Sequence, residues 1–152
     1  MQILITSLQM EHWMADFSIH LVKEWDFQAL VELYKAGGWW RKDHDPNHIP
    51  DLVRSSYAFA VAVHNPSGRT IGMGRAISDG VSDAYIQDLV VLPEFRGIGA
   101  GKKIIGELLV FCVSHKITWI ALIAEPGTED FYAQLGFFPM KEHTPMKFRG
   151  MI

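Results

Sequence analysis

The sequence predicts an α/β chain of the α+β kind, with a mixed, mostly antiparallel central sheet flanked by helices. Three observations predict it. Residues 57–63, 70–77 and 83–91 are strand-like runs separated only by the turn signatures N-P-S-G and S-D-G, which is the pattern of an antiparallel meander. Residues 26–37 and 99–115 carry apolar side chains at helical spacing, so each offers one face to a sheet. Between the meander and the second helix, Y-I-Q-D-L-V-V-L-P-E-F-R-G-I-G-A-G runs from apolar strand through a proline to a glycine-rich turn.

Taken in order, residues 1–14 carry conflicting signals, a short strand over 3–8 and a loop at Glu11, His12 and Trp13, and no element is assigned there. Residues 17–22 alternate and suit a first strand. Asp26 caps a helix that the Gly37-Gly38 pair ends, with Phe27, Leu30, Val31 and Tyr34 on one face. Trp39 and Trp40 then stand beside a mixed polar loop through His48. Asp43, His44 and Asp45 are consecutive, lack helical i, i+4 spacing and have no cysteine partner, so no metal site is expected. A short helix over 49–56 precedes the meander. Gly72 and Gly74 inside the middle strand mark a bulge or a close backbone approach.

In the helix over 99–115, Ile104, Ile105, Leu108, Leu109, Phe111 and Cys112 form a broad apolar stripe that packs on the sheet. Residues 119–124 are the next strand. Thr128 caps a short helix with Glu129 and Asp130 in its first turn, Gly136 ends it, and the remainder supplies one or two final strands.

With 152 residues, 49% of them hydrophobic, the chain is long enough for one domain with a sizeable core, expected to span 1–152. A net charge of −3 gives no nucleic-acid footprint. The one cysteine, Cys112, rules out an internal disulfide and reads as a buried structural thiol. No apolar run reaches the roughly 20 residues of a membrane helix, and no basic-then-apolar leader opens the chain, so no membrane partner and a cytoplasmic location are expected.

A glycine-rich turn opening a helix leaves backbone N–H groups without intrahelical partners, where the helix dipole favours an anionic oxygen. Two familiar phosphate loops fail here. A Walker loop needs G-K-[ST] in register, and Lys102 stands five residues after Gly97 without it. A dinucleotide fingerprint needs a glycine where Lys102 or Ile104 stands. What remains is R-x-x-G-x-G at Arg96, Gly99 and Gly101, preceded by V-x-P-E-F and followed by F-Y-A-Q-L-G-F.

Together these motifs resemble the GNAT N-acetyltransferase superfamily over residues 17–149, most of the chain. The resemblance implies the GNAT fold, with strands that splay at an acetyl-CoA site. It implies that backbone groups of Leu89, Val91 or their neighbour Val90 hold the pantetheine arm. Arg96, Gly97, Ile98, Gly99, Ala100 and Gly101 would hold the pyrophosphate, with Lys102 adding charge. A homodimer is a habit of the family.

Acyl transfer from a thioester to an amine needs a neutral amine, a place for an oxyanion and a proton for the departing thiolate. By resemblance, Tyr132 in F-Y-A-Q-L-G-F lies near the cofactor sulfur as that proton donor, and a phenol of pKa about 10 is protonated near neutral pH. Asp88 is the leading candidate base, on a strand face shared with Ile86 and Val90; Tyr85, Asp83 and Glu125 are alternatives. Tyr34, Trp39 and Trp40 suggest an aromatic-walled pocket for a small-molecule or peptide amine. The expected function is acetyl-CoA-dependent N-acetyl transfer without metal. The alternative is an acyl-CoA-binding module of the same fold without turnover.

Overall fold

The computed structural model describes residues 7–150. The expected strand at 3–8 therefore lies mostly outside the described residues, while Glu11, His12 and Trp13 belong to a helix, α1 (Ser7–Met14), and not to a loop. Tertiary packing explains the helix. The Trp13 ring stands edge-on to buried His64 at 4.2 Å, and His64 Nε2 donates to the Trp13 carbonyl at 2.9 Å.

The sheet then follows the chain: β1 (Phe17–Leu21), β2 (Ala58–His64), β3 (Arg69–Ser78), β4 (Asp83–Val91) and β5 (Trp119–Ala121), in that spatial order. The first three pairings are antiparallel, and β4 pairs β5 in parallel. This is the mixed, mostly antiparallel sheet expected. Helix α2 (Phe27–Ala36) starts where the Asp26 carboxylate accepts from the Gln28 N–H at 2.9 Å and ends at Gly37. A 3₁₀ turn at Pro46–His48 runs into α3 (Ile49–Ser55). Helix α4 (Ala100–Ser114) is the crossover between β4 and β5.

Two helices sandwich the sheet. Gly72 and Gly74 face α4, because a Cβ on either would come within 3.0 and 2.8 Å of the Ile104 side chain. Met73 and Arg75 point the other way, towards α2. Ile104, Ile105, Leu108 and Cys112 are fully buried under α4, and Leu30 and Leu33 under α2. Each such apolar side chain stabilises the fold by about 1.5–3 kcal/mol. Gly74→Val places a branched side chain against Ile104 and Leu108 and is expected to destabilise by about 1–3 kcal/mol, read from the urea midpoint.

The bulge that the glycines hinted at lies on β4. Pairing steps from Arg75↔Gln87 to Met73↔Val90, so Asp88 and Leu89 both stand opposite Gly74. Asp88 absorbs the extra residue with φ +57°. This corrects the expected facing of Asp88: the bulge turns it to the α2 side with Val90, while Ile86 pairs Ala76 on the α4 side. Strict alternation could not reveal this.

Three further expectations change. The strand expected over 119–124 stops at Ala121, and the chain beyond it leaves the sheet. Thr128 stands at the N-cap of α5 (Glu129–Ala133), but its hydroxyl donates to the Glu125 carbonyl at 2.7 Å instead of capping. Among the described residues after Gly136 there is no strand. Phe138, Met146 and Phe148 lie 81%, 91% and 84% exposed, so no buried face holds that segment in register, and the three-residue β5 offers it little edge.

Candidate active site

The site begins where the sheet comes apart. Parallel pairing of β4 with β5 covers only Asp83↔Trp119, Ala84↔Ile120 and Tyr85↔Ala121, so β4 continues from Ile86 to Val91 beside a gap. A cleft of about 280 Å³ occupies it, lined by Trp39, Tyr85, Asp88, Leu89, Leu122, Glu125 and Tyr132 among others. The ladder decides which backbone groups reach the gap. Leu92 N–H donates to Ile71 across β3, so Leu92 and Val90 are the hydrogen-bonded positions, and Val91, between them, turns its N–H and C=O away from β3. Leu89, two residues earlier, shares that direction. Val90 spends its backbone on β3.

After β4 the chain makes a 3₁₀ turn at Pro93–Phe95 and enters the glycine loop. Gly97 and Gly99 have φ of +82° and +90°, which only glycine adopts freely. A Cβ at either would meet nothing within 4 Å, so conformation and not crowding requires glycine there. The N–H groups through this turn form a nest that continues into α4, whose first bond runs from Lys103 N–H to the Gly99 carbonyl at 3.1 Å. The amide groups ahead of Lys103 lie outside the helical ladder and suit a phosphate. Gly101 serves packing instead, since a Cβ there would meet the Phe131 ring at 3.3 Å. Arg96 Nε donates to the Val91 carbonyl at 3.0 Å, and Lys102 Nζ donates to Gln134 at 2.6 Å, tying the loop to β4 and to the end of α5.

In the cleft wall, Asp88 Oδ2 accepts from Arg75 Nε at 2.6 Å and from the Tyr34 hydroxyl at 2.8 Å. Burial first, and the Asp88 charge second, push the Tyr34 phenol far above its ordinary value. The folded protein therefore holds a proton that the unfolded chain gives up from about pH 10. Stability is full below that pH and falls as pH rises from there, by about 1.4 kcal/mol per unit. Tyr34→Phe is expected to lose this alkaline slope in denaturation curves taken between about pH 9 and 11.

Tyr132 sits on α5 with its ring edge-on to Phe131 and Phe137, at 5.0 and 5.9 Å between centroids. Burial, and then the charge of Glu125, raise its phenol above the ordinary range. Asp88 and Tyr132, far apart in sequence, thus line one cleft. Of the aromatic candidates, Trp39 lines it, folded back so that a Cβ on Gly37 would meet its ring at 2.6 Å. Tyr34 stands behind Asp88, and Trp40 packs against Tyr34 and His44. The polar loop is used locally: Arg41 pairs with Asp43 at 3.0 Å, and Asp45 caps the turn at Pro46–His48. Sequence reasoning missed Arg75, although a lone guanidinium between Gly74 and Ala76 in an apolar strand was a signal. Leu122 and Ile123, which the apolar run places in a strand, line the cleft instead.

The acetyltransferase (GNAT) domain family matches residues 34–151. Serotonin N-acetyltransferase 2, chloroplastic, of Oryza sativa subsp. japonica is 38% identical over 113 residues, 74% of this chain. Histone acetyltransferase TAP1 of Glycine max is 32% identical over 140 residues, 86% of this chain. The chain spans 56% of the length of each. Among solved structures, AAC(6')-Iy in complex with the bisubstrate analog CoA-S-monomethyl-acetylneamine superposes with a TM-score of 0.67. The match covers 88% of this chain and 99% of that one at 18% identity, a likeness of fold. With more than half of its length inside the family's domain, and the splayed sheet and glycine nest in place, the chain belongs to the GNAT acetyltransferase family.

Proposed function

We propose that this protein transfers an acetyl group from acetyl-CoA directly to a primary amine of a small molecule or peptide while both are bound. The observation that carries the reading is one stretch of chain that joins three features: a cleft lined by Tyr132 and Asp88, the unpaired edge of β4 after Tyr85, and the left-handed glycine turn. The nest offers N–H groups for a pyrophosphate, and the backbone of Leu89 and Val91 faces where a pantetheine arm would lie. Arg96 already occupies the Val91 carbonyl, which leaves the Val91 N–H for that role.

When bound, acetyl-CoA supplies an activated acetyl thioester. Tyr132 gives its phenolic proton to the sulfur that leaves as the C–S bond breaks and the C–N bond forms, and is reprotonated from water. Asp88 has one oxygen committed to Arg75 and Tyr34, which supports holding and orienting the amine over the proton-acceptor role expected from the sequence. The bound ammonium loses one proton to water in the open cleft before it attacks, and the second proton leaves the nitrogen to water after the C–N bond forms, which balances the proton that Tyr132 gives to sulfur and regains. Asp88 and Glu125 together outweigh Arg75, so the cleft favours a cationic acceptor. Trp39, Tyr85 and Tyr132 supply flat walls for its apolar part. The relatives' names differ on the acceptor, serotonin in one and a histone in the other, so the amine is set by experiment.

The test is a thiol-release screen with acetyl-CoA against 2-phenylethylamine, serotonin, glucosamine and a lysine peptide, with product masses. One acceptor gaining an acetyl mass in step with thiol release is expected. Acetyl-CoA binding without transfer to any amine would establish the non-catalytic module instead.

A further inference from the structure

Arg75 meets Asp88 in an unusual way. A guanidinium normally grips a carboxylate as a fork, using two nitrogens on two oxygens. Here the fork is split: Nε donates to Asp88 Oδ2 at 2.6 Å, and a terminal nitrogen donates to Gln87 Oε1 at 3.4 Å. Tyr34 adds its hydroxyl to the same Oδ2 at 2.8 Å. Both donors thus converge on one oxygen. Among the described residues, no donor is bonded to Oδ1.

The backbone makes the same choice. Asp88 is the bulged residue of β4, in the left-handed region at φ +57°, and a non-glycine residue persists there when its surroundings over-determine it. Arg75 and Tyr34, from β3 and α2, are those surroundings. The pair is largely buried, with side chains 16% and 21% exposed, and the exposed part of Asp88 belongs to the cleft wall. Burial of Tyr34 and the packing of α2 leave the phenol little freedom to let go.

We infer that Arg75 is a positioning residue for the acceptor: by fixing Oδ2 of Asp88 it presents Oδ1 to the cleft, where that oxygen receives a primary ammonium group. The inference rests on the proposed acetyl transfer and adds a specificity determinant to it. Arg75 itself touches no reacting atom. Its guanidinium lies behind the carboxylate, so a second cation enters on the side of Oδ1 and of Glu125, which also lines the cleft. An acceptor without an ammonium group gains nothing from this arrangement.

Steady-state kinetics of Arg75→Met, with acetyl-CoA and whichever of 2-phenylethylamine, serotonin, glucosamine and the lysine peptide the wild type acetylates, tests this. The KM for the amine is expected to rise about tenfold, the loss of one well-placed charged hydrogen bond. The KM for acetyl-CoA and kcat are expected to stay within about threefold. Arg75→Lys restores a cation behind Asp88 and is expected to recover part of the amine KM. In an Asp88→Asn background, adding Arg75→Met is expected to change the amine KM less than about twofold, since no carboxylate is left to position.

Equal damage to both KM values and kcat, or an undiminished effect in the Asp88→Asn background, would overturn the inference. If Arg75→Met does not fold, Arg75→Gln, which removes the cation and keeps a polar side chain, decides the matter: an amine KM equal to that of the wild type refutes the role. Wild-type protein that acetylates no amine refutes the parent reading and this one with it, a result distinct from wild-type turnover with the wrong pattern in the variants.

Discussion

Tyr132→Phe is expected to lower kcat about 100-fold or more while leaving the KM for acetyl-CoA within about twofold. The phenyl ring keeps the edge-on contacts with Phe131 and Phe137, so α5 and the cleft wall stay in place. Only the proton is lost. Burial and the neighbouring Glu125 charge hold the wild-type phenol protonated to higher pH than a free tyrosine. Any fall of activity between about pH 8 and 10 therefore belongs to another group, and Tyr132 limits the rate only above that range. Unchanged kcat in Tyr132→Phe with a confirmed acceptor would remove the acid role.

Gly99→Val is expected to weaken acetyl-CoA binding about 100-fold, measured by calorimetry. Gly99 sits at φ +90° at the N-terminus of α4, where a β-branched residue is strongly disfavoured. The valine must move the backbone, and the N–H groups of the nest turn with it. Losing one or two hydrogen bonds to a charged phosphate, each about 1.5–3 kcal/mol, accounts for that factor. Space is not the issue, because a Cβ there meets nothing within 4 Å. A Gly99→Val protein that binds as tightly as the wild type would mean that the nest is not the phosphate site.

The meander, α2 and α4 were legible in the sequence because turn chemistry and apolar spacing agreed with the tertiary structure at each of them. The bounds of β4, Asp83–Val91, follow from the S-D-G turn before it and Pro93 after it. The glycine loop was legible for a different reason: glycine spacing at the head of an apolar helix has few other uses. What failed was set by long-range contacts. The bulge at Asp88 comes from pairing with β3, so the face of the most interesting carboxylate was misassigned. Helix α1 depends on Trp13 docking on His64, 51 residues away. Residues 122–124 look like strand by composition, yet Leu122 and Ile123 leave the sheet and line the cleft. Arg75 stands out in its apolar strand as a lone guanidinium, and the fold supplies its partner, Asp88.

In the proposed function, the strand edge and the glycine nest together hold a phosphate carried on a pantetheine arm. Parallel calorimetric titrations with acetyl-CoA and with ATP test it most directly, since both carry adenosine phosphates and only acetyl-CoA has the arm. Acetyl-CoA is expected to bind at least about tenfold tighter than ATP, with the difference carried by the open edge of β4. Tight binding of ATP without detectable binding of acetyl-CoA would contradict it.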